Sequence, residues 1–493
     1  MPRIRSTIAI PSLGSLDRSS GRIGQQLAQG LREAIARGDL KPGERLPSTR
    51  SLGDSLGLAR GTIIEAFEQL KAEGYLVSLP RAGTAVVGIL QHDTVIRGVE
   101  NAPSPASRPI QLSAKAERFA AIAYTLEPQR GVPFAIAHPA GAVAPDETWR
   151  RLGNRIRGMR AAAPTGYIDP RGLPALRTTI SDYVRKARAV RCRPEQVVIT
   201  GGTQQGLFLS ATVLSDAGDA VWIEDPAYPG ISTLLSAFDV SVCRIPVDAN
   251  GIDVDRGIDL CPNARVAFVT PSHQYPIGMP MSMARRLAIL RWAQDNEAWI
   301  VEDDYDSELR YSGHPFPSLQ GLDPSRVIYL GTMSKVMFSS MRLGYAIVPE
   351  PLIDSFAGAR ALIDRHSPTA DQHVLAAFMN EGHFEAHIRR IRGVYAERRA
   401  ALIKAIEQHF PSWVTLQPSD QGMHLVLWLP DGLDDVSFAA ECLAAEIVVR
   451  PISPMYSARE KRHGLMLGFG GFSISQLETE ALRLANMLKT RHG

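Results

Sequence analysis

The run Gly331-Thr-Met-Ser-Lys-Val-Met-Phe-Ser-Ser-Met-Arg342-Leu-Gly344 follows the acidic segment Glu302-Asp-Asp-Tyr-Asp306 by about thirty residues. Together the two segments hold a lysine amine, several carboxylates, a phenol and a guanidinium. An amine condenses with an aldehyde to an imine, and a carboxylate keeps a pyridine nitrogen protonated. A phenol can hydrogen-bond a ring oxygen, and a guanidinium holds phosphate through two parallel hydrogen bonds. Lys335, Asp303, Tyr305 and Arg342 therefore fit an aldehyde cofactor that carries a pyridine ring and a phosphate. Asp303 follows the apolar run Trp299-Ile-Val301, with Glu302, Asp304 and Asp306 as competing carboxylates. Lys335 has to be neutral to react, and burial near a cationic ring lowers a lysine's pKa. Gly201-Gly-Thr-Gln204 follows another apolar run and opens a helical stretch. Gly202 and Thr203 thereby place backbone N–H groups at a helix N-terminus, where phosphate binds.

These segments need a large framework. The chain has 493 residues, 45% of them hydrophobic and 21% charged, enough for two or three domains with a sizeable core. Short apolar runs at Gln196–Thr200, Ala220–Glu224, Arg265–Thr270, Ala298–Val301, Arg326–Leu330 and Gly344–Val348 alternate with amphipathic helices such as Met283–Asn296. Fully apolar strands of this length belong to a parallel sheet covered on both faces. The result is an α/β domain over 131–493 with a mostly parallel sheet, its functional loops at strand ends.

The first ninety residues differ. They hold 12 Lys/Arg against 8 Asp/Glu, whereas the whole chain carries only +3. Ile23, Leu27, Leu31 and Ile35 form a helical stripe, with Gly38 as a stop. Two short helices follow, Thr49–Leu56 and Gly61–Gly74, joined by Gly57-Leu-Ala-Arg60. Leu76-Val-Ser78 and Thr84–Val87 then read as two strands around Pro80–Gly83. This is a winged helix-turn-helix over 1–87. Between the domains, 88–130 is poor in periodicity and holds Asn101-Ala-Pro-Ser-Pro-Ala-Ser-Arg-Pro109, which predicts an extended linker.

Cys192, Cys243, Cys261 and Cys442 are scattered, with no CxxC pair and no metal spacing. No apolar run approaches the ~18 residues of a membrane span, and the N-terminal apolar stretch is too short for a signal peptide. A cytoplasmic protein without a bound metal is expected.

Residues 1–87 resemble a GntR-type winged helix, carried by Gly43-Glu-Arg-Leu-Pro-Ser-Thr-Arg50 and Leu58-Ala-Arg-Gly-Thr62. The remainder resembles a fold-type I aminotransferase, carried by Gly201-Gly-Thr, Glu224-Asp-Pro-Ala-Tyr228, Asp303, Ser334-Lys335 and Arg342. Their fusion is similar to the MocR-type transcription regulators over nearly the whole chain. The resemblance implies pyridoxal 5'-phosphate as cofactor, linked to Lys335, with Asp303 at the ring nitrogen and Tyr305 at the ring oxygen. It places Tyr228 on the ring face, and Arg342, Ser334, Gly202 and Thr203 at the phosphate. Tyr167, in Tyr167-Ile-Asp-Pro-Arg-Gly172, would reach the phosphate of a neighbouring subunit, so a homodimer is implied. Ser48, Arg50, Arg60, Thr62, Arg81 and Gly83 fall where similar proteins touch operator DNA. Ala59 stands where a serine usually caps the recognition helix.

Two positions depart from the aminotransferase pattern. Thr270-Pro-Ser-His-Gln-Tyr-Pro-Ile-Gly278 has Tyr275 where an asparagine is usual. Met466 stands where the substrate-carboxylate arginine is expected, with Arg450, Arg462 and His463 as substitutes. The resemblance thus implies a regulator that senses an amine, an amino acid or the cofactor itself. An aminotransferase with an accessory N-terminal domain is the alternative.

Overall fold

The computed structural model describes residues 16–18, 21–79, 83–87, 111–125, 131–136, 138–141, 144–313, 316–457 and 461–492. Two compact units result, Met1–Gln111 and Leu112–Gly493.

In the first unit, helix α1 (Ile23–Ala36) packs on α3 (Arg60–Ala72), and α2 (Thr49–Leu56) crosses α3. Leu27 and Leu31 of the predicted stripe are fully buried, against Leu52, Ile63, Phe67 and Leu70. Strands β1 (Leu76–Leu79) and β2 (Gly83–Val86) pair antiparallel as the wing, with Leu76 opposite Val86. Gly57 closes α2 at φ +62°, a left-handed backbone that glycine adopts without strain. Ser48 caps α2 by accepting from the Ser51 amide at 3.1 Å. Ala59 caps α3 with no side-chain hydrogen bond, as expected from its sequence. Ala59→Ser is therefore expected to stabilise this unit by about 1 kcal/mol in chemical denaturation. An unchanged unfolding midpoint would show that the α3 amides are already satisfied by solvent.

Helix α4 (Ala114–Thr125) lies within the stretch predicted to be extended linker. Its alanine-rich sequence favours helix, and its mostly exposed surface left no apolar stripe to reveal it. Arg118 of α4 pairs with Asp239 at 2.7 Å, which ties it to the second unit. Residues 88–110 and 126–130 of that stretch lie outside the described residues.

The second unit is built on an eight-stranded sheet. Its strands are β3 (Val197–Thr200), β4 (Ala220–Asp225), β5 (Ser241–Asp248), β6 (Gly251–Ile252), β7 (Val266–Val269), β8 (Trp299–Asp304), β9 (Val327–Thr332) and β10 (Gly344–Ile347). The order is β3-β10-β9-β8-β7-β4-β5-β6; β9, β8, β7, β4 and β5 run parallel, while β10 is antiparallel to both its neighbours. The sheet is mostly parallel, and all six predicted strands are present. Apolar clusters cover both faces, one around Val198, Ile223 and Leu330, another around Trp222, Ala267 and Ile300. Helices α5 (Asp146–Arg157), α6 (Pro174–Arg188) and α7 (Thr203–Leu214) pack around this frame.

A second, antiparallel sheet of four strands follows: β11 (Thr415–Leu416), β12 (His424–Trp428), β13 (Arg450–Pro451) and β14 (Gly464–Gly468), in the order β11-β12-β14-β13. It carries one wall of the cavity described next.

Candidate functional site

The parallel strands end on a cavity of about 800 Å³, part of it open to solvent. The loop after β3 brings Thr203, the loop after β8 brings Tyr305 and Asp306, and the loop after β9 brings Ser334 and Lys335. Tyr228, Thr270, Tyr275, Asp303 and Arg342 also line it, and His424 enters from β12. Sequence positions more than two hundred residues apart thus meet at strand ends, as they do in open α/β sheets.

Of the four carboxylates that sequence left in competition, Asp303 and Asp306 line the cavity, while Glu302 and Asp304, each with one oxygen also unpartnered, do not. Glu302 accepts from the Gln320 amide at 3.0 Å. Asp304 takes Arg188 at 2.8 Å and the Tyr329 hydroxyl at 2.5 Å. Asp306 takes His273 Nδ1 at 2.9 Å. Asp303 lines the cavity, and its Oδ1 is buried with no hydrogen-bond partner. Burial, and then the charge of Asp304, push its pKa up to about 7. A buried acceptor with no donor is costly. A ring N–H brought to Asp303 would satisfy it.

Burial lowers the pKa of Lys335, and Asp306 and Asp303 oppose that shift. Desolvation is the larger effect, so the amine is biased toward its neutral, nucleophilic form. Ser334 precedes it, with its amide donating to Thr332 Oγ1 at 3.2 Å.

Arg342 adopts φ +51° at the end of a short helical turn, and its guanidinium lies against Gly202. A Cβ on Gly202 would stand 3.3 Å from Arg342 Nη2, and one on Gly344 would stand 2.7 Å from the Gly202 Cα. Gly202 also has φ +103°. Only glycine fits there, and it sets the guanidinium beside the N-terminus of α7. Arginine, helix N-terminus and Thr203 together present the kinds of donor that bind phosphate.

Aromatic rings form the remaining walls. Tyr228 meets Tyr275 edge-on, with centroids 5.3 Å apart, and Tyr275 meets Tyr305 edge-on at 6.0 Å. A Cβ on Gly230 would overlap the Tyr228 ring, so that glycine sets the ring's position. The Tyr305 hydroxyl donates to the His273 carbonyl at 2.9 Å. Sequence reasoning missed His424, whose Nε2 lies 3.0 Å from the Pro276 carbonyl. Burial, and then His273, push its pKa down to about 3, so it is neutral and donates from Nε2. The cue available was a lone histidine opening an apolar strand, which is weak.

Tyr167 is not among the cavity's residues. It is 81% exposed, beneath the Arg365 guanidinium at 5.5 Å from its centroid. Met466 is fully buried in an apolar cluster with Tyr275, Trp428 and Ile452. Arg462 lies over the Trp428 ring at 3.8 Å, and His463 Nδ1 contacts Asp435 at 2.9 Å.

In the first unit, Ser48, Arg50, Arg60 and Gly83 are exposed and Thr62 is half-buried. Arg60 and Thr62 open α3, and Gly83 opens β2. Arg81 lies outside the described residues. Among the described residues, neither Arg50 nor Arg60 has an acidic partner.

Residues 23–86 match the family of bacterial regulatory proteins of the gntR type, and residues 160–464 match aminotransferase class I and II. The chain is 36% identical over 455 residues to the probable rhizopine catabolism regulatory protein MocR of Rhizobium meliloti, covering 91% of this chain and 90% of that one. It is 32% identical to the pyridoxine biosynthesis transcriptional regulator PdxR of Corynebacterium glutamicum, covering 90% and 91%. Among solved structures, the α-aminoadipate aminotransferase LysN of Thermus thermophilus, complexed with N-(5'-phosphopyridoxyl)-L-leucine, superposes with a TM-score of 0.70. That match has 26% identity and covers 77% of this chain and 97% of that one. The aminotransferase-like fold family generally binds pyridoxal phosphate. A gntR-family winged helix joined to an aminotransferase class I and II domain, shared with such relatives along nine-tenths of its length, places this chain in the MocR family of helix-turn-helix transcription regulators.

Proposed function

We propose that this regulator binds pyridoxal 5'-phosphate in the cavity at the strand ends and uses it to sense a small amine or amino acid, or the cofactor itself. The observation that carries this is the orphaned carboxylate oxygen of Asp303, buried in the same cavity as Lys335 and Arg342. Bound pyridoxal phosphate supplies an aldehyde that captures amines and a ring that draws electrons from them. Lys335 holds its amine desolvated for covalent attachment. Asp303 accepts from the ring nitrogen, and Arg342, Gly202, Thr203 and Ser334 hold the phosphate. Tyr228 lies on the ring face, and Tyr305, fixed by His273, stands at the ring's oxygen edge. Tyr167, exposed and away from its own cavity, serves the neighbouring subunit of a homodimer. The protein works in the cytoplasm, with Ser48, Arg50, Arg60, Thr62, Arg81 and Gly83 on operator DNA.

One relative is, by its printed name, a transcriptional regulator of pyridoxine biosynthesis, which fits an effector drawn from the cofactor pool. A ligand changes DNA binding only by interacting differently with two arrangements of the protein. The test is a footprint on the regulator's own upstream DNA, with and without pyridoxal phosphate and with added amines. A footprint and a transcript level indifferent to every cofactor state would sink the sensor reading.

Arg342→Ala is expected to weaken the cofactor by about 1.5–3 kcal/mol, the scale of one charge-assisted contact. Covalent capture should persist at high cofactor concentration. Equilibrium dialysis that found no change would make Arg342 a purely structural residue.

A further inference from the structure

Met466, where the resemblance expects an arginine, is fully buried in an apolar cluster, yet a cation stands opposite it on the neighbouring strand. In the antiparallel pair of β13 and β14, Arg450 lies opposite Met466. Residues directly opposite share one face of a sheet, with their Cβ atoms ~5 Å apart. Arg450 Nη1 donates to the Tyr275 hydroxyl at 3.1 Å, and Tyr275 lines the cavity. Among the described residues, Arg450 has no carboxylate partner. The other two substitutes are engaged, Arg462 on the Trp428 ring and His463 on Asp435.

The Tyr275–Arg450 pair has the chemistry of an anion acceptor. A phenol that accepts from a guanidinium keeps its own O–H to donate, and arginine stays charged at any working pH. Edge-on contacts to Tyr228 and Tyr305 fix the Tyr275 ring. His424, also on the wall, is neutral and supplies no charge. Arg342 is occupied with the phosphate in the reading above, which leaves Arg450 for the effector.

We propose that Arg450, acting with Tyr275, binds the carboxylate of the effector, so that the site selects amines bearing a carboxylate over simple amines. This rests on the cofactor reading. Tyr275, in the position that departs from the aminotransferase pattern, then has a purpose: it links the cavity to a cation moved by one strand.

The test uses full-length cofactor-free protein and three stable adducts. They are made by borohydride reduction of the imines that pyridoxal phosphate forms with L-alanine, β-alanine or ethylamine, so they share ring and phosphate and differ in the carboxylate. Calorimetry is expected to show one of the carboxylate adducts binding roughly tenfold tighter than the ethylamine adduct, or more, as for one charge-assisted hydrogen bond. Arg450→Met should erase that preference and leave ethylamine-adduct affinity unchanged, which also reports a folded site. Arg450→Lys and Tyr275→Phe should each retain part of the preference. Equal binding of all three adducts to the unmodified protein, or a preference that survives Arg450→Met, overturns the proposal. Failure of all three adducts to bind overturns the cofactor reading itself, and this proposal with it.

Discussion

Lys335→Ala is expected to abolish covalent capture of pyridoxal phosphate while the domain stays folded. Lys335 is the lysine among the residues that line the cavity, and its amine is desolvated there. Its stem sits in the loop after β9, so truncation removes little of the apolar core that holds the sheet. Purified wild-type protein loaded with cofactor should be yellow, and borohydride should fix one cofactor mass per chain. The alanine variant should bind the cofactor reversibly through Arg342 and Asp303, lose the fixed mass entirely, and unfold at nearly the same temperature. A fixed mass that persists in the variant would move the attachment point to another lysine.

Most of this cavity was legible in the sequence because its parts lie beside strong signals. Lys335 and Arg342 sit next to largely apolar strands and Asp303 follows the apolar half of β8, and such apolar runs announce their ends. What the sequence left open was which of the three adjacent acids, Glu302, Asp303 and Asp304, lines the cavity. A strand presents alternate residues to opposite faces. Asp303 therefore faces one way, while Glu302 and Asp304 face the partners Gln320 and Arg188. Those partners come from helices and loops remote in sequence, which no local pattern reveals. Strand β5, beside the edge strand β6, and the four-stranded sheet were also not read. β5 has exposed and half-buried residues along most of its length, and β11 and β13 have two residues each. Such short or half-exposed strands leave little periodicity. His424 and the Arg450–Tyr275 contact depend on that second sheet and were hidden with it.

The second large effect concerns DNA. A fragment of residues 1–90 is expected to bind operator DNA roughly a hundredfold or more weaker than the full chain, because a dimer turns the second half-site contact into an intramolecular one. Each winged helix offers only a few cations at the positions proposed to face DNA, Arg50 and Arg60 among the described ones. The affinity of the fragment should fall with salt at about half the logarithmic slope of the proposed dimer, since the slope counts neutralised phosphates. Footprints should show one half-site for the fragment and two for the full chain. Equal affinities and equal slopes for the two proteins would mean that the large domain adds nothing to operator recognition.

The guanidinium of Arg342 lies against Gly202, with its backbone in the left-handed region. Held by that backbone, a guanidinium in the proposed phosphate role spends little conformational entropy on capture. It also has few means of telling one small dianion from another. Buffer composition thus becomes part of this protein's biochemistry: inorganic phosphate or sulfate should compete for the same donors, and protein purified in phosphate should emerge paler than protein purified in an uncharged amine-free buffer.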